Sequence, residues 1–177
     1  MKIRAATTDD VDAVIALRIE SEAWLHSAGI QQWVDRARGV RNIRDGIAAG
    51  NTYVVEHEST VVASLTLAGP DPDFWTDADI PSSALYLYKF MIGSPHRGTG
   101  LGSRLLDWAC DQARQRQKLW LRLDCWRENK ALQRYYMQHG FQHVRTVVVA
   151  GRGSGALFQR PVLAPQPSHP LQQASRR

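Results

Sequence analysis

From Ile92 to Ser103 the chain reads Ile-Gly-Ser-Pro-His-Arg-Gly-Thr-Gly-Leu-Gly-Ser, with glycines at every second position from Gly98 to Gly102. Glycine takes backbone angles closed to other residues and leaves successive N–H groups uncovered. The run follows a predicted strand and opens a predicted helix, whose first amides lack internal partners and whose dipole adds roughly half a positive charge. Such an end holds phosphate, and Arg97 adds a full charge on a forked guanidinium. The spacing is not that of a dinucleotide-binding G-x-G-x-x-G, and no Lys follows Gly102 as a G-x-x-x-x-G-K-[ST] loop requires. The competing explanation is a glycine turn that merely joins strand to helix.

These residues resemble the GCN5-related N-acetyltransferase (GNAT) superfamily. Its acyl-CoA loop, [QR]-x-x-G-x-[GA], is met by Arg97-Gly98-Thr99-Gly100-Leu101-Gly102. A second signature, an Asn ahead of a helix ending in Tyr, three residues and then Gly-Phe, is met by Asn129 through Tyr136 to Gly140-Phe141. The resemblance covers residues 1–160 and is clearest over 84–145. It implies an α/β (α+β) fold with a mixed, splayed central sheet and helices on both faces. Acetyl-CoA would be the cosubstrate, with no metal. Its pyrophosphate would sit on the amides of Gly98, Thr99, Gly100, Leu101, Gly102 and Ser103 beside Arg97. Phe90-Met91-Ile92 would pair with the pantetheine amides as an added strand. Asn129 would touch the cofactor arm, and Tyr136 would protonate the departing thiolate. A homodimer is compatible with the resemblance.

The chemistry makes the same demands independently. An amine attacking a thioester creates an oxyanion that aligned N–H donors stabilise. The leaving thiolate gains from an acid with a pKa near 10, which Tyr supplies untuned. Tyr135 and Tyr136 lie about 100° apart on a helix, so one of them is expected to face the site, and the spacing to Gly140 selects Tyr136. Core packing is the alternative for either ring. Asp124, at the end of a predicted strand, is the candidate base, although a lone acid is more often a cap or ion-pair partner. Tyr88 and Lys89 offer no carboxylate where some family members use a strand glutamate, which favours a water-relayed proton.

Acceptor recognition is expected from the segment from Gly69 to Ile80, where Asp71, Asp73, Asp77 and Asp79 accompany Phe74 and Trp75 without Lys or Arg. Charge and cation–π contact would make this a pocket for a cationic amine, walled by Trp24, Trp33, Phe74 and Trp75, with Glu20 on the first helix facing the acceptor. The alternative is a solvated acidic loop. His139 and His143 are separated by the helix-breaking Gly140-Phe141, so no metal site is expected.

Several elements must position these groups. Lys2 to Ala6 reads as a strand, and Thr7 with Asp10 as a capping box opening a helix to about His26. A second helix is expected near Asn42 to Ala49. Residues 52–57 and 60–67 form a β-branched hairpin across Glu58-Ser59. Residues 69–83 form a loop, 84–92 a strand, and 101–117 a helix with an apolar face of Leu101, Leu105, Leu106 and Ala109. A strand over 119–125, a helix over 130–139 and a closing hairpin of 143–150 with 156–160 complete the order. Residues 161–177, with four of the eight prolines among Gln, Ser and Arg, form a tail too polar to order itself.

In the 177 residues, apolar types make up 44% and charged types 22%, enough for a core and too apolar for wholesale disorder. No run approaches the roughly 18 apolar residues of a membrane span. The acid-containing start resembles no export signal, and Cys110 and Cys125 have no framework spacing, so a cytoplasmic setting is expected. The net charge of +5 hides a division: residues 1–83 hold 7 Lys/Arg against 13 Asp/Glu, and residues 84–177 hold 15 against 4. The basic half shows neither a recognition helix nor aromatic-interleaved basic motifs, so nucleic acid is not the expected partner. The expected activity is acetyl transfer to a primary amine of a small molecule or peptide by direct attack in a ternary complex. The rivals are protein N-terminal acetylation and a catalytically idle CoA-binding regulatory module.

Overall fold

The computed structural model describes residues 1–33 and 35–162. The expected tail therefore lies outside the described residues, apart from Pro161 and Val162. Seven strands form one sheet in the order β1-β2-β3-β4-β5-β7-β6. They are β1 (Lys2–Ala5), β2 (Thr52–His57), β3 (Thr60–Ala68), β4 (Ala84–Ile92), β5 (Trp120–Trp126), β6 (Gln142–Thr146) and β7 (Ser154–Pro161). Four helices accompany them: α1 (Val11–Ser27), α2 (Arg36–Ala48), α3 (Leu101–Gln115) and α4 (Lys130–Gln138). Every pairing is antiparallel except β4 with β5. That parallel step needs the α3 crossover between its strands.

Alternation along the strands divides the core between the two faces of the sheet. Val55, Leu65, Leu85, Leu87, Leu121 and Leu123 pack with Leu105, Leu106 and Ala109 of α3 and with Tyr136. Val54 and Met91 pack on the opposite face with Val14 and Leu17 of α1 and Ile43 and Ile47 of α2. Helices thus cover both faces of a mixed sheet, as the GNAT resemblance implies.

Local chemistry sets most boundaries. Glu58 and Ser59 both have positive φ, 50° and 61°, the mirror-image turn whose twist suits a two-residue hairpin. Helix α2 starts six residues before the expected Asn42, because the Asp35 carboxylate accepts from the Arg38 amide at 2.8 Å and caps it. The last strand reaches Pro161, one residue into the expected tail, and the Val162 amide donates to the Leu119 carbonyl at 2.8 Å.

Two guanidinium–carboxylate pairs tie distant segments together. Arg4 holds Asp10 at 2.7 Å and Arg145 holds Asp79 at 2.7 Å, each drawing the carboxyl pKa from 3.8 down to about 2 chiefly by hydrogen bonding. A depressed acid stabilises the fold fully above its unfolded pKa and loses that contribution as pH falls through its folded pKa. Stability should therefore drop between about pH 4 and pH 2. Urea midpoints measured across that interval should fall less steeply in Asp10→Asn than in the parent; parallel slopes would remove Asp10 from the account.

Candidate active site

Strands β4 and β5 pair over only three positions, Ala84↔Trp120, Leu85↔Leu121 and Tyr86↔Arg122, and then part. The cause lies on the other side of β4. Its ladder to β3 passes from Ser64↔Met91 to Thr66↔Tyr88, so Leu65 faces both Lys89 and Phe90. This is a bulge, and Lys89 takes a φ of +47° to make it. A bulged strand bends and twists away from its neighbour. The parting opens a cavity of about 920 Å³, lined by Leu87 to Ile92 on β4 and by Asp124, Cys125 and Trp126 on β5.

The glycine run follows β4. Gly98 and Gly100 have φ of +74° and +79°, and neither has an atom within 4 Å of where a Cβ would stand. Here glycine serves backbone geometry in open space. The amides of Gly98, Thr99, Gly100, Leu101, Gly102 and Ser103 have no acceptor among the described residues; the first helical donor is Arg104, to the Gly100 carbonyl at 3.3 Å. Gly98, Gly100, Gly102 and Ser103 line the cavity. Leu101 buries its side chain in the core, and the Thr99 hydroxyl donates back to the His96 carbonyl at 2.8 Å, so these two offer the site only their backbones. At Gly102 a Cβ would run into the Tyr135 hydroxyl and crowd Ile92.

Arg97 is engaged within the protein. Its Nε donates to the Ile92 carbonyl at 2.9 Å, its NH2 donates to Glu20 at 3.2 Å, and its guanidinium lies 4.8 Å from the Trp24 ring centroid. Arg97 thus lines the cavity while clamping the end of β4 to α1. Glu20 belongs to the same clamp, accepting also from the Ser94 amide at 2.5 Å, and it does not line the cavity. This corrects its expected place facing the acceptor.

Tyr136 is only 6% exposed and packs edge-on against Phe141 with ring centroids 5.5 Å apart. It nevertheless lines the cavity, and its hydroxyl has no hydrogen-bond partner among the described residues. Burial pushes its pKa well above the ordinary phenol value, so it keeps its proton at neutral pH. Tyr135 reaches the same cavity, its ring 5.8 Å from that of Tyr136. The expectation that helix geometry admits only one of the two fails because Leu132, Tyr135, Tyr136 and His139 form one broad stripe of the helix, and all of it lines the cavity. Asn129 lines the cavity too, but its side chain caps α4 through the Leu132 amide at 3.0 Å and donates to Gln32 at 3.3 Å. Asp124 is a cavity carboxylate with raised proton affinity, first from burial and then from the nearby Asp71 charge, against the pull of Ser154 and Arg152. That combination suits a base.

The acidic loop forms no cationic-amine pocket. Phe74 and Trp75 are 1% and 2% exposed and belong to a core cluster with Ala84, Tyr86 and Leu157, away from the cavity. Arg152 holds Asp71 at 2.6 Å and Asp73 at 2.7 Å while stacking over Phe74 at 4.6 Å. Arg122 and Arg145 flank the Trp75 ring at 4.8 and 5.7 Å. Three of the four aspartates are thus neutralised by arginines from the basic half, an internal use of the charge division. Trp24 and Trp33 do line the cavity, Trp33 beneath the Arg18 guanidinium at 5.0 Å. Sequence reasoning missed Arg18, set Tyr135 aside in favour of Tyr136, and noted Lys89 only for what it lacks. A buried position for a charged residue on the inner face of α1 was the available signal.

The profile of the acetyltransferase (GNAT) family matches residues 16–141. The chain belongs to the GNAT acetyltransferase family. Among curated proteins this GNAT chain is 27% identical over 143 residues to an uncharacterized N-acetyltransferase, YesJ, of Bacillus subtilis (strain 168), covering 77% of this chain and 79% of that protein. A GNAT-family acetyltransferase structure from Listeria monocytogenes 4b F2365 superposes with a TM-score of 0.74 at 26% identity, covering 90% of this chain and 94% of that one. The structure of yncA, a putative acetyltransferase from Salmonella typhimurium solved with acetyl-CoA, shares the fold at a TM-score of 0.63 and 22% identity over 99% of both chains. Among the described residues, no helix of this GNAT protein is long and apolar enough to cross a membrane.

Proposed function

We propose that this GNAT protein moves an acetyl group from acetyl-CoA to a primary amine of a small molecule or peptide, by direct attack in a ternary complex. The observation that carries the reading is the row of six amides without acceptors, Gly98 to Ser103, at the mouth of the β4–β5 cavity. Consecutive free N–H groups at a helix start match a diphosphate in charge and spacing. The β4 edge from Leu87 to Ile92, released from β5, offers main-chain groups to the pantetheine amides. When bound, acetyl-CoA supplies an activated thioester carbonyl. Asp124 accepts the proton that the amine must lose, directly or through water, and the Tyr136 hydroxyl holds the proton that a leaving thiolate needs. Arg97 acts as a positioning residue, fixing the end of β4 from which the loop departs. A cytoplasmic setting belongs to the same proposal.

Acetyl-CoA at 100 times its Kd should raise unfolding free energy by about 2.7 kcal/mol, read as an upward shift in Tm. Thiol release with an amine panel then separates an enzyme from an idle CoA-binding module, which would show the shift without release. No shift at any concentration would remove the donor site.

A further inference from the structure

Two cations that line the cavity, Arg18 and Lys89, make no ion pair among the described residues. Arg18, on α1, is 5% exposed, and among the described residues its guanidinium donates only to the backbone carbonyls of Trp33 at 3.1 Å and Asp35 at 3.4 Å. Its Nε is buried with no partner among the same residues. Glu22 and Asp35 reach Arg18 through their charges alone, since Glu22 accepts from Arg36 at 3.4 Å and Asp35 caps α2. Lys89, half-buried on the β4 bulge, makes no hydrogen bond or ion pair among the described residues. The two charges feel each other, and burial with the Arg18 charge lowers the Lys89 pKa. Buried charges in proteins are ordinarily paired, because an unpaired one loses its hydration without compensation.

The backbone around these cations is also committed to them. Lys89 sits at φ +47°, a strained angle for a residue with a side chain. Gly39, inside α2, weakens that helix relative to alanine, yet a Cβ there would strike the Arg18 guanidinium. Of the other cavity cations, Arg97 is answered by Glu20 and Arg152 by Asp71 and Asp73, while Arg38, at the start of α2, is exposed to solvent. Asp124 lies within electrostatic reach of Lys89. One cavity therefore holds two cations with no carboxylate bonded to them among the described residues, beside a carboxylate suited to receive an amine proton.

Resting on the acetyl-transfer reading above, we propose that the acceptor is a zwitterion, an amino-acid-like amine whose own carboxylate seats at Arg18 and Lys89 while its nitrogen faces Asp124. This inverts the polarity expected from the acidic loop: a polycationic amine would meet two like charges here. A carboxylate fits better than a phosphate dianion, because Asp35 and Asp124 also line the cavity and would repel the second charge. The planar carboxylate also matches the guanidinium fork.

The test measures thiol release for the common α-amino acids and β-alanine, each against its methyl ester. For the best acceptor, kcat/KM for the acid should exceed that for the ester by about tenfold or more. Lys89→Met should collapse that ratio toward one by raising KM for the acid. Gly39→Ala, which displaces the guanidinium while keeping its charge, should lower it as well. An ester equal to or better than its acid, or a ratio unchanged in Lys89→Met, overturns the proposal. Acetyl-CoA stabilisation on the same samples reports separately on the donor site. Should no thiol appear with any amine, amino-acid binding followed by tryptophan fluorescence decides the anion site alone. Saturable binding of acid over ester, lost in Lys89→Met, supports it, and absence of that preference overturns it.

Discussion

Gly100→Val is expected to abolish acetyl-CoA binding while the protein still folds. Gly100 sits at φ +79° with nothing within 4 Å of a built Cβ, so valine meets no protein atom. The substitution has two consequences. A β-branched residue at a left-handed angle costs about 1–3 kcal/mol, and relief of that strain turns the flanking amides away from their shared direction. The side chain also fills the space in front of those amides, where a diphosphate would lie. Melting with and without acetyl-CoA should show a modest fall in Tm and no ligand-induced shift. Gly50→Val is the control, since Gly50 has φ +69° and equally open surroundings but does not line the cavity. It carries a similar backbone cost and should keep the shift. A shift of parental size in Gly100→Val would show that the loop does not carry the diphosphate.

Tyr136→Phe should lower kcat by about 10²-fold or more, the range of a positioned general acid, with the acetyl-CoA Kd little changed. The ring is held by Phe141 and Phe158, at 5.5 and 6.2 Å between centroids, so phenylalanine keeps the packing. The hydroxyl makes no hydrogen bond among the described residues, so deleting it strands no partner there, and Tm should move little. Loss of turnover without loss of stability isolates the proton from the ring. Because Tyr135 shares the cavity, Tyr135→Phe is the necessary comparison. A larger fall in kcat there would transfer the acid role to Tyr135, and parental kcat in both variants would leave thiolate protonation to water.

The two signatures that marked the family were legible because each is local. Alternating glycines before a helix, and an Asn-capped helix ending in Tyr and Gly-Phe, dictate backbone shape within a few residues. The strands were legible for the same reason, β-branched runs bounded by turns. What failed was the use of particular side chains. Asp73, Phe74 and Trp75 looked like a pocket because the loop holds no arginine of its own, whereas Arg145 and Arg152 come from 66 or more residues away. The clamp that Arg97 makes was not legible either, because its partners, Glu20 and the Ile92 carbonyl, come together only when α1 packs on the end of β4.

The sequence alone therefore determined the family, the order of elements and the open backbone of the glycine loop, all consequences of backbone preferences over short stretches. Only the tertiary structure decided which charges are free. Electrostatic pairing depends on distance in space, and the packing of α1, α2 and the closing hairpin gives Arg97 and Arg152 ion pairs while leaving Arg18 and Lys89 at the cavity without one among the described residues.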